Sequence, residues 1–126
     1  MDNTKNTKSL EILLYEHLKN DTVLKKLIDT RIYPMNLKED CLFPALRFFI
    51  VHEDTKQDLQ GDIYTNTLHF QIDCFSRTYL QVRELKELLK ISIYNFNFQS
   101  FEFGSQDMYE TDTKLFRVIC SFFINF

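Results

Sequence analysis

Residues 62–75 read Asp-Ile-Tyr-Thr-Asn-Thr-Leu-His-Phe-Gln-Ile-Asp-Cys-Phe. Leu68, Phe70, Ile72 and Cys74 alternate with His69, Gln71 and Asp73. That period of two places each set on its own face of a β-strand. Just upstream, Ala45 to Val51 is β-branched or aromatic, with Leu46, Phe48 and Ile50 on one face and Arg47, Phe49 and Val51 on the other. The polar run His52–Gly61, HEDTKQDLQG, separates the two. Together they predict a long antiparallel hairpin with a mobile connection projecting at its tip.

Downstream, Ser76-Arg77-Thr78 marks a switch of period from two to about 3.6. Ser76 or Thr78 is positioned to cap a helix reaching about Ile93, with Tyr79, Val82, Leu85, Leu88, Leu89 and Ile93 on its apolar stripe. Arg83 and Glu87, four apart, form a surface pair on its polar side. Phe96, Phe98, Phe101 and Phe103 suggest a strand over Phe96–Phe103, and Gly104–Thr113 a polar loop or bulged edge. Leu115–Phe126 is the last strand, with Phe116, Val118, Cys120, Phe122, Ile124 and Phe126 on one face.

Upstream of the hairpin, Ser9 precedes Leu10, Leu13, Leu14, His17 and Leu18, one stripe of a capped helix. Asn20-Asp21-Thr22 breaks that pattern, and Val23, Leu24, Leu27 and Ile28 predict a second, short helix. It ends by Arg31, because Pro34 biases Tyr33 toward extended backbone. Residues 35–44 are a connection closed by Pro44, and residues 1–8 a flexible polar arm. The expected architecture is α+β, in the order α-α-β-β-α-β-β: one domain over 9–126 with a four-stranded, mostly antiparallel sheet and helices on one face.

Composition removes several function classes. Fifteen Lys and Arg against eighteen Asp and Glu give a net charge of −3, which argues against sequence-independent binding to phosphate backbones. Only two glycines, Gly61 and Gly104, stand alone, so neither the dinucleotide fingerprint nor the P-loop is present. No apolar run approaches the ~20 residues that span a bilayer, and MDNTKNTK has no apolar core of a secretory signal. Three cysteines without close pairing fit free thiols in a reducing compartment. Thirteen Phe and no Trp predict an aromatic core.

The sites with chemical potential each have a plainer explanation. His17, His52 and His69 are scattered, and no metal-ligand spacing exists, so no metal or other cofactor is expected. His17 on a helix stripe reads as a packed residue. His69 and Asp73 share a strand face, as the His–carboxylate part of a hydrolytic triad would, but Cys74 has the opposite parity and a polar sheet face or subunit contact accounts for them better. Asp107, Glu110 and Asp112 lack calcium-loop spacing. Phe101-Glu102-Phe103-Gly104 resembles base-stacking sheet aromatics without the basic flank of an RNA-recognition motif. No nucleophile, base and oxyanion hole occur together, so no enzymatic activity is expected.

The second sheet face is the more informative feature. With helices on one side only, Phe49, Val51, Ile119 and Phe123 face away from them. Either a loop or the N-terminal arm covers these side chains, or they form a contact site.

The ordered segments resemble the tail completion family of long-tailed bacteriophages. The resemblance rests on the helical pair followed by Arg31-Ile32-Tyr33-Pro34, Pro44-Ala45-Leu46, Asp58-Leu59-Gln60-Gly61 and Gln71-Ile72-Asp73-Cys74-Phe75. It continues through Tyr79 with Arg83-Glu84-Leu85, then Met108-Tyr109-Glu110 and Leu115-Phe116-Arg117, covering about Leu10 to Ile124. It implies a non-enzymatic virion or prophage protein forming a ring, hexameric in related terminators, on the head-proximal end of the tail tube. Its implied partners are its own copies, the tail tube protein and the head-connector protein, with DNA passing through unbound and no membrane involved. Phe49, Val51, Ile119 and Phe123, together with Glu53, Asp54, Lys56 and Gln60 of the hairpin tip, are the candidate interface. The alternatives are a small cytosolic protein-binding or regulatory module, and an enzyme using His69 and Asp73.

Overall fold

The computed structural model describes residues 9–57, 59–61, 63–96 and 103–125. In chain order these form α1 (Leu10–Lys19), α2 (Thr22–Ile28), β1 (Ile32–Pro34), β2 (Ala45–Gln57), β3 (Ile63–Ser76), α3 (Tyr79–Tyr94), β4 (Phe103–Glu110) and β5 (Leu115–Asn125). The fold is α+β, with three helices against one mixed sheet of strand order β1-β2-β3-β5-β4. The expected polar arm, Asp58, Phe98, Phe101, Glu102 and Phe126 lie outside the described residues.

Three expectations are corrected. The sheet has five strands, because Ile32–Pro34 pairs with Leu46–Phe48 as a short parallel strand. Arg31 fixes this segment: its Nε donates to the Pro44 carbonyl at 2.9 Å and its Nη2 to the Leu27 carbonyl at 3.0 Å, while its own carbonyl accepts from the Leu46 amide at 2.9 Å. Pro34 is tolerated because it sits on the sheet edge, where no ladder donor is needed. Secondly, of the loop or bulged edge expected over Gly104–Thr113 the edge is what forms, as β4 from Phe103 to Glu110, with the turn confined to the residues after it, and Phe96, expected in a strand, lies just past α3 with its amide donating to the Ile93 carbonyl. Polar residues form β4 because it is an edge strand with half its surface in water.

Thirdly, the polar run after Val51 is mostly strand. β2 continues to Gln57 and pairs with β3 as far as Ile63. A bulge lies between Ile50, which opposes Phe70, and His52, which opposes His69. The extra residue, Val51, shifts the parity, so that His52 joins Phe49 and Arg47 on the face that carries His69. β5 accompanies β3 only from Thr67 to Ser76, so the distal hairpin leaves the sheet as a two-stranded arm.

The predicted alternation places the core. Leu68, Phe70, Ile72 and Cys74 of β3 and Val118, Cys120, Phe122 and Ile124 of β5 are buried under Leu14, Leu18, Leu24, Ile28, Val82, Leu85, Leu89 and Ile93 of the helices. The Phe70 and Phe122 rings stack with centroids 5.3 Å apart. Burial pushes the Cys74 thiol well above its ordinary pKa, so it packs as a small apolar side chain. His17 is half-buried, with Nε2 2.7 Å from the Ser92 carbonyl and its ring 5.2 Å from that of Phe96, which pins α1 to the end of α3.

Helix caps follow the local chemistry. Asp21 accepts from the amides of Val23 (2.9 Å) and Leu24 (3.1 Å), and Thr78 from that of Gln81 (3.3 Å). Ser9 caps with its carbonyl instead, accepting from Ile12 and Leu13. Ser76 braces α3 by donating to Gln81 Oε1 at 2.6 Å.

Truncating Phe122 to Ala removes a fully buried ring and is expected to cost about 3–5 kcal/mol in urea unfolding, whereas Leu59→Ala, at a fully exposed tip residue, is expected to stay within about 0.5 kcal/mol of wild type. Burial acts to raise the Asp21 pKa, but the Ser92 hydroxyl and the amides of Leu24 and Val23 outweigh it and hold the carboxyl below its ordinary value of 3.8. A depressed folded-state pKa means that the cap stabilises above the unfolded value and is lost as pH falls through the folded one. Asp21→Ala is therefore expected to lose about 1 kcal/mol at pH 7, a difference that shrinks when thermal unfolding is repeated below about pH 3.

Candidate functional site: the outer face of the sheet

The face turned away from the helices divides into two unlike halves. At the end near Ala45 and Ser76, Asp73 is completely buried. It opposes Arg47 on β2 and Ile119 on β5, with Arg117 one step diagonal. Its Oδ2 accepts from Arg47 Nε (3.0 Å), from Arg47 Nη2 and from Arg117 Nη2 (2.9 Å), and its Oδ1 from Gln71 Nε2 (3.0 Å). Arg117 Nη1 also reaches Glu110 Oε2 at 3.4 Å.

Both guanidiniums lie over the Phe75 ring, Arg47 at 5.4 Å and Arg117 at 5.6 Å from its centroid, and Phe75 is buried on this face. Arg47 also lies 5.8 Å from the Phe49 ring. One carboxylate between two cations, with an aromatic beneath, ties β2, β3 and β5 together and seals this half. A buried carboxylate held by four donors is a structural group rather than an available base.

The other half, at the base of the arm, is apolar and open. Phe123 is 40% exposed and stacks on His69 with centroids 4.3 Å apart. Val51, at the bulge, is 47% exposed. Phe49 is half-buried here, while Ile119, also half-buried, lies opposite Asp73 at the margin of the sealed half. Glu53, Asp54 and Lys56 are exposed along the arm, and Gln60 is exposed at its tip. His69 therefore makes an aromatic stack while Asp73 binds arginines, and the pair that a hydrolytic triad requires is not assembled: they lie four strand positions, about 13 Å, apart. No cluster of three or more His, Cys, Asp or Glu side chains fit for a metal occurs among the described residues.

Alternation had already put Arg47, Asp73 and Arg117 on one face. Their union escaped sequence reading because it needs the strand register, which sets Arg47 opposite Asp73. The acidic stretch is likewise not simply solvated. Asp107 Oδ2 accepts from Tyr79 Oη and Oδ1 from Arg83 Nη1, both at 2.8 Å, so α3 is tied to β4 and Arg83 does not pair with Glu87. Glu87 instead binds Lys86 at 2.5 Å. The hydrogen bond from Tyr79, followed by that from Arg83, outweighs desolvation and lowers the Asp107 pKa.

Replacing Asp73 with Asn is expected to cost about 3 kcal/mol, because it takes from two largely buried arginine side chains the carboxylate they share and leaves Arg117 only its longer contact with Glu110. Asp73→Asn combined with Arg47→Met is expected to recover part of that loss. Urea unfolding of the two variants and of Arg47→Met alone checks the coupling.

A model of the family described as "Tail completion protein gp17" matches residues 13–124. No curated protein matches. Among solved structures, a chain in the "Virion of native gene transfer agent (GTA) particle" superposes with a TM-score of 0.70 at 15% identity, over 93% of each chain. At that identity the likeness is one of fold. The family match covers most of the sequence and includes the arm, the arginine-bound Asp73 and the open patch: the chain belongs to the tail completion protein gp17 family, a family of phage tail structural proteins.

Proposed function

We propose that this tail protein forms a ring, hexameric as in related terminators, on the head-proximal end of the tail tube, where it ends tube growth and joins the tail to the head. The ring meets the tail tube protein on one side and the head-connector protein on the other. It assembles in the host cytoplasm, from a phage or prophage gene, and acts as a scaffold without catalysis.

The observation that carries this reading is the open patch. Phe123 and Val51 remain exposed near Phe49, with Ile119 half-buried at the margin toward Asp73, on a face that no described helix covers. Exposed apolar side chains grouped at one place mark a contact surface. A closed ring needs two different surfaces per subunit. The patch and the adjoining arm, with Glu53, Asp54, Lys56 and Gln60, make one of them, burying about 800 Å² per partner in a standard interface.

Charge supports the role. Residues 52–62 carry Glu53, Asp54, Asp58 and Asp62 against Lys56, the whole net charge of −3, and leave fourteen cations and fourteen anions elsewhere. An acidic, otherwise neutral ring repels DNA and lets it slide through without specific binding.

Placing a carboxylate in the patch tests the reading. Phe123→Glu is expected to leave the melting temperature within a few degrees, because the ring is only partly buried, and to lower ring assembly on purified tail tubes at least ~100-fold, since an unpaired charge in a buried contact costs about 3 kcal/mol or more. Sedimentation and electron microscopy of protein mixed with tubes read the result. Undiminished rings would remove the patch from the interface.

A further inference from the structure

We propose that the free outer edge of β2, from Phe49 to Gln57, pairs with the free outer edge of β4 of the next copy, so that the ring is held by a sheet continuous between subunits. This rests on the ring reading and names the second surface that a ring requires.

The argument starts from unsatisfied backbone. β1 covers β2 only over Leu46–Phe48, so nine residues of β2, from Phe49 onward, have β3 on one side and no strand on the other among the described residues. β4 is the opposite edge of the sheet and pairs with β5 alone over eight residues. Eight residues span about 27 Å of ladder. The two edges are of matching length and face opposite sides of the sheet, β2 beyond the reach of β1 and β4 at the far end of the order, which makes the contact head-to-tail rather than self-complementary.

Edges usually carry protection: Pro, Lys, brevity or a cover. The remaining edge, β1, has it, being three residues long and ending in Pro34. β4, Phe-Gly-Ser-Gln-Asp-Met-Tyr-Glu, has neither Pro nor Lys. The arm is a two-stranded ribbon beyond the point where β5 stops, and such a ribbon is marginal in water until something packs on it.

Charged side chains flank both edges. The described arm carries Glu53 and Asp54 against Lys56. β4 is flanked by the side of α3 that reaches it through Tyr79 and Arg83, and Lys90 of the same helix lies 5.8 Å from the Phe103 ring at the start of β4. Glu53 and Thr55 of the arm lie on the helix-side face, opposite Leu68 and Asn66, as Ser105 and Asp107 do on β4. Arg83 already pairs with Asp107, so Lys90 is the cation of this flank that an arm carboxylate can meet when the edges join, a contact that weakens as salt rises.

The test uses the full chain with Cys41→Ser, which removes the half-exposed thiol and leaves Cys74 and Cys120 buried. Thr55→Cys and Ser105→Cys, both at exposed positions, are placed together in this chain, mixed with tail tubes and treated with a short bis-maleimide. Rings seen by electron microscopy and a ladder of cross-linked species longer than dimers on a denaturing gel are expected, with either single variant giving monomers. Rings without cross-links, or cross-links from Thr55→Cys alone, overturn the edge pairing and leave the ring standing. Tubes that bear no rings overturn the ring reading and this pairing with it.

Discussion

A β-sheet has two faces, and the three described helices cover one of them. Every other feature of this protein responds to that inequality. On the helix side the alternating residues of β3 and β5 meet Leu, Val and Ile from α1, α2 and α3, and burial of apolar surface supplies the main driving force. On the other side no helix is available, so the chain has to satisfy a face of some four strands with its own side chains or with those of another protein.

It does each in one half. Near Phe75 the solution is internal: a carboxylate without solvent contact, two arginines that reach it from neighbouring strands, and a ring under both guanidiniums. The arginine side chains cover what a helix would otherwise cover and keep only part of their surface in water, with exposures of 22% and 17%. Near Phe123 the solution is left open, and the side chains there are apolar. An ionic seal is intolerant of a partner, because docking would desolvate it further; an apolar patch gains from one. The division of the face is thus also a division between a half that stabilises the subunit and a half that, on the reading proposed above, remains for assembly.

How much of this was legible in the sequence depends on the range of the interaction. The three helices, the central hairpin and the last strand follow from periodicity alone, because each buries a face whose spacing is written locally. Misjudged elements were those whose reason lies elsewhere in the chain. β1 exists because Arg31 ties the end of α2 to Pro44, thirteen residues away. β4 is polar and reads as a loop, yet the ladder with β5 and the bonds from Tyr79 and Arg83 hold it extended. The arm reads as a connection because its strands bury nothing, and backbone pairing has no hydrophobic signature. Of the outer face, alternation assigned Phe49, Ile119 and Phe123 to the correct side. The meeting of Arg47, Asp73 and Arg117 required a register that only the folded sheet supplies, and the bulge at Val51 changed which arm residues share that side.

The same elements that escaped local reading are those with unfinished hydrogen bonding. β4 and the arm contribute little to the core; most of their exposed residues are polar, Met108, Tyr109 and Leu59 apart, and their outer backbone groups have no strand partner among the described residues. In a protein that worked as an isolated subunit, such edges would be a hazard, since identical copies in solution present the same unpaired groups to one another. A tail protein confronts the opposite requirement. On the ring reading proposed above, it stays apart until the tube reaches its length and then associates in one orientation, and a heterologous edge contact is suited to both. Each single pairing is weak in water, because it exchanges bonds to solvent for bonds to a neighbour. A closed ring makes every subunit both donor and acceptor, so the last contact to form is intramolecular and gains from a high effective concentration.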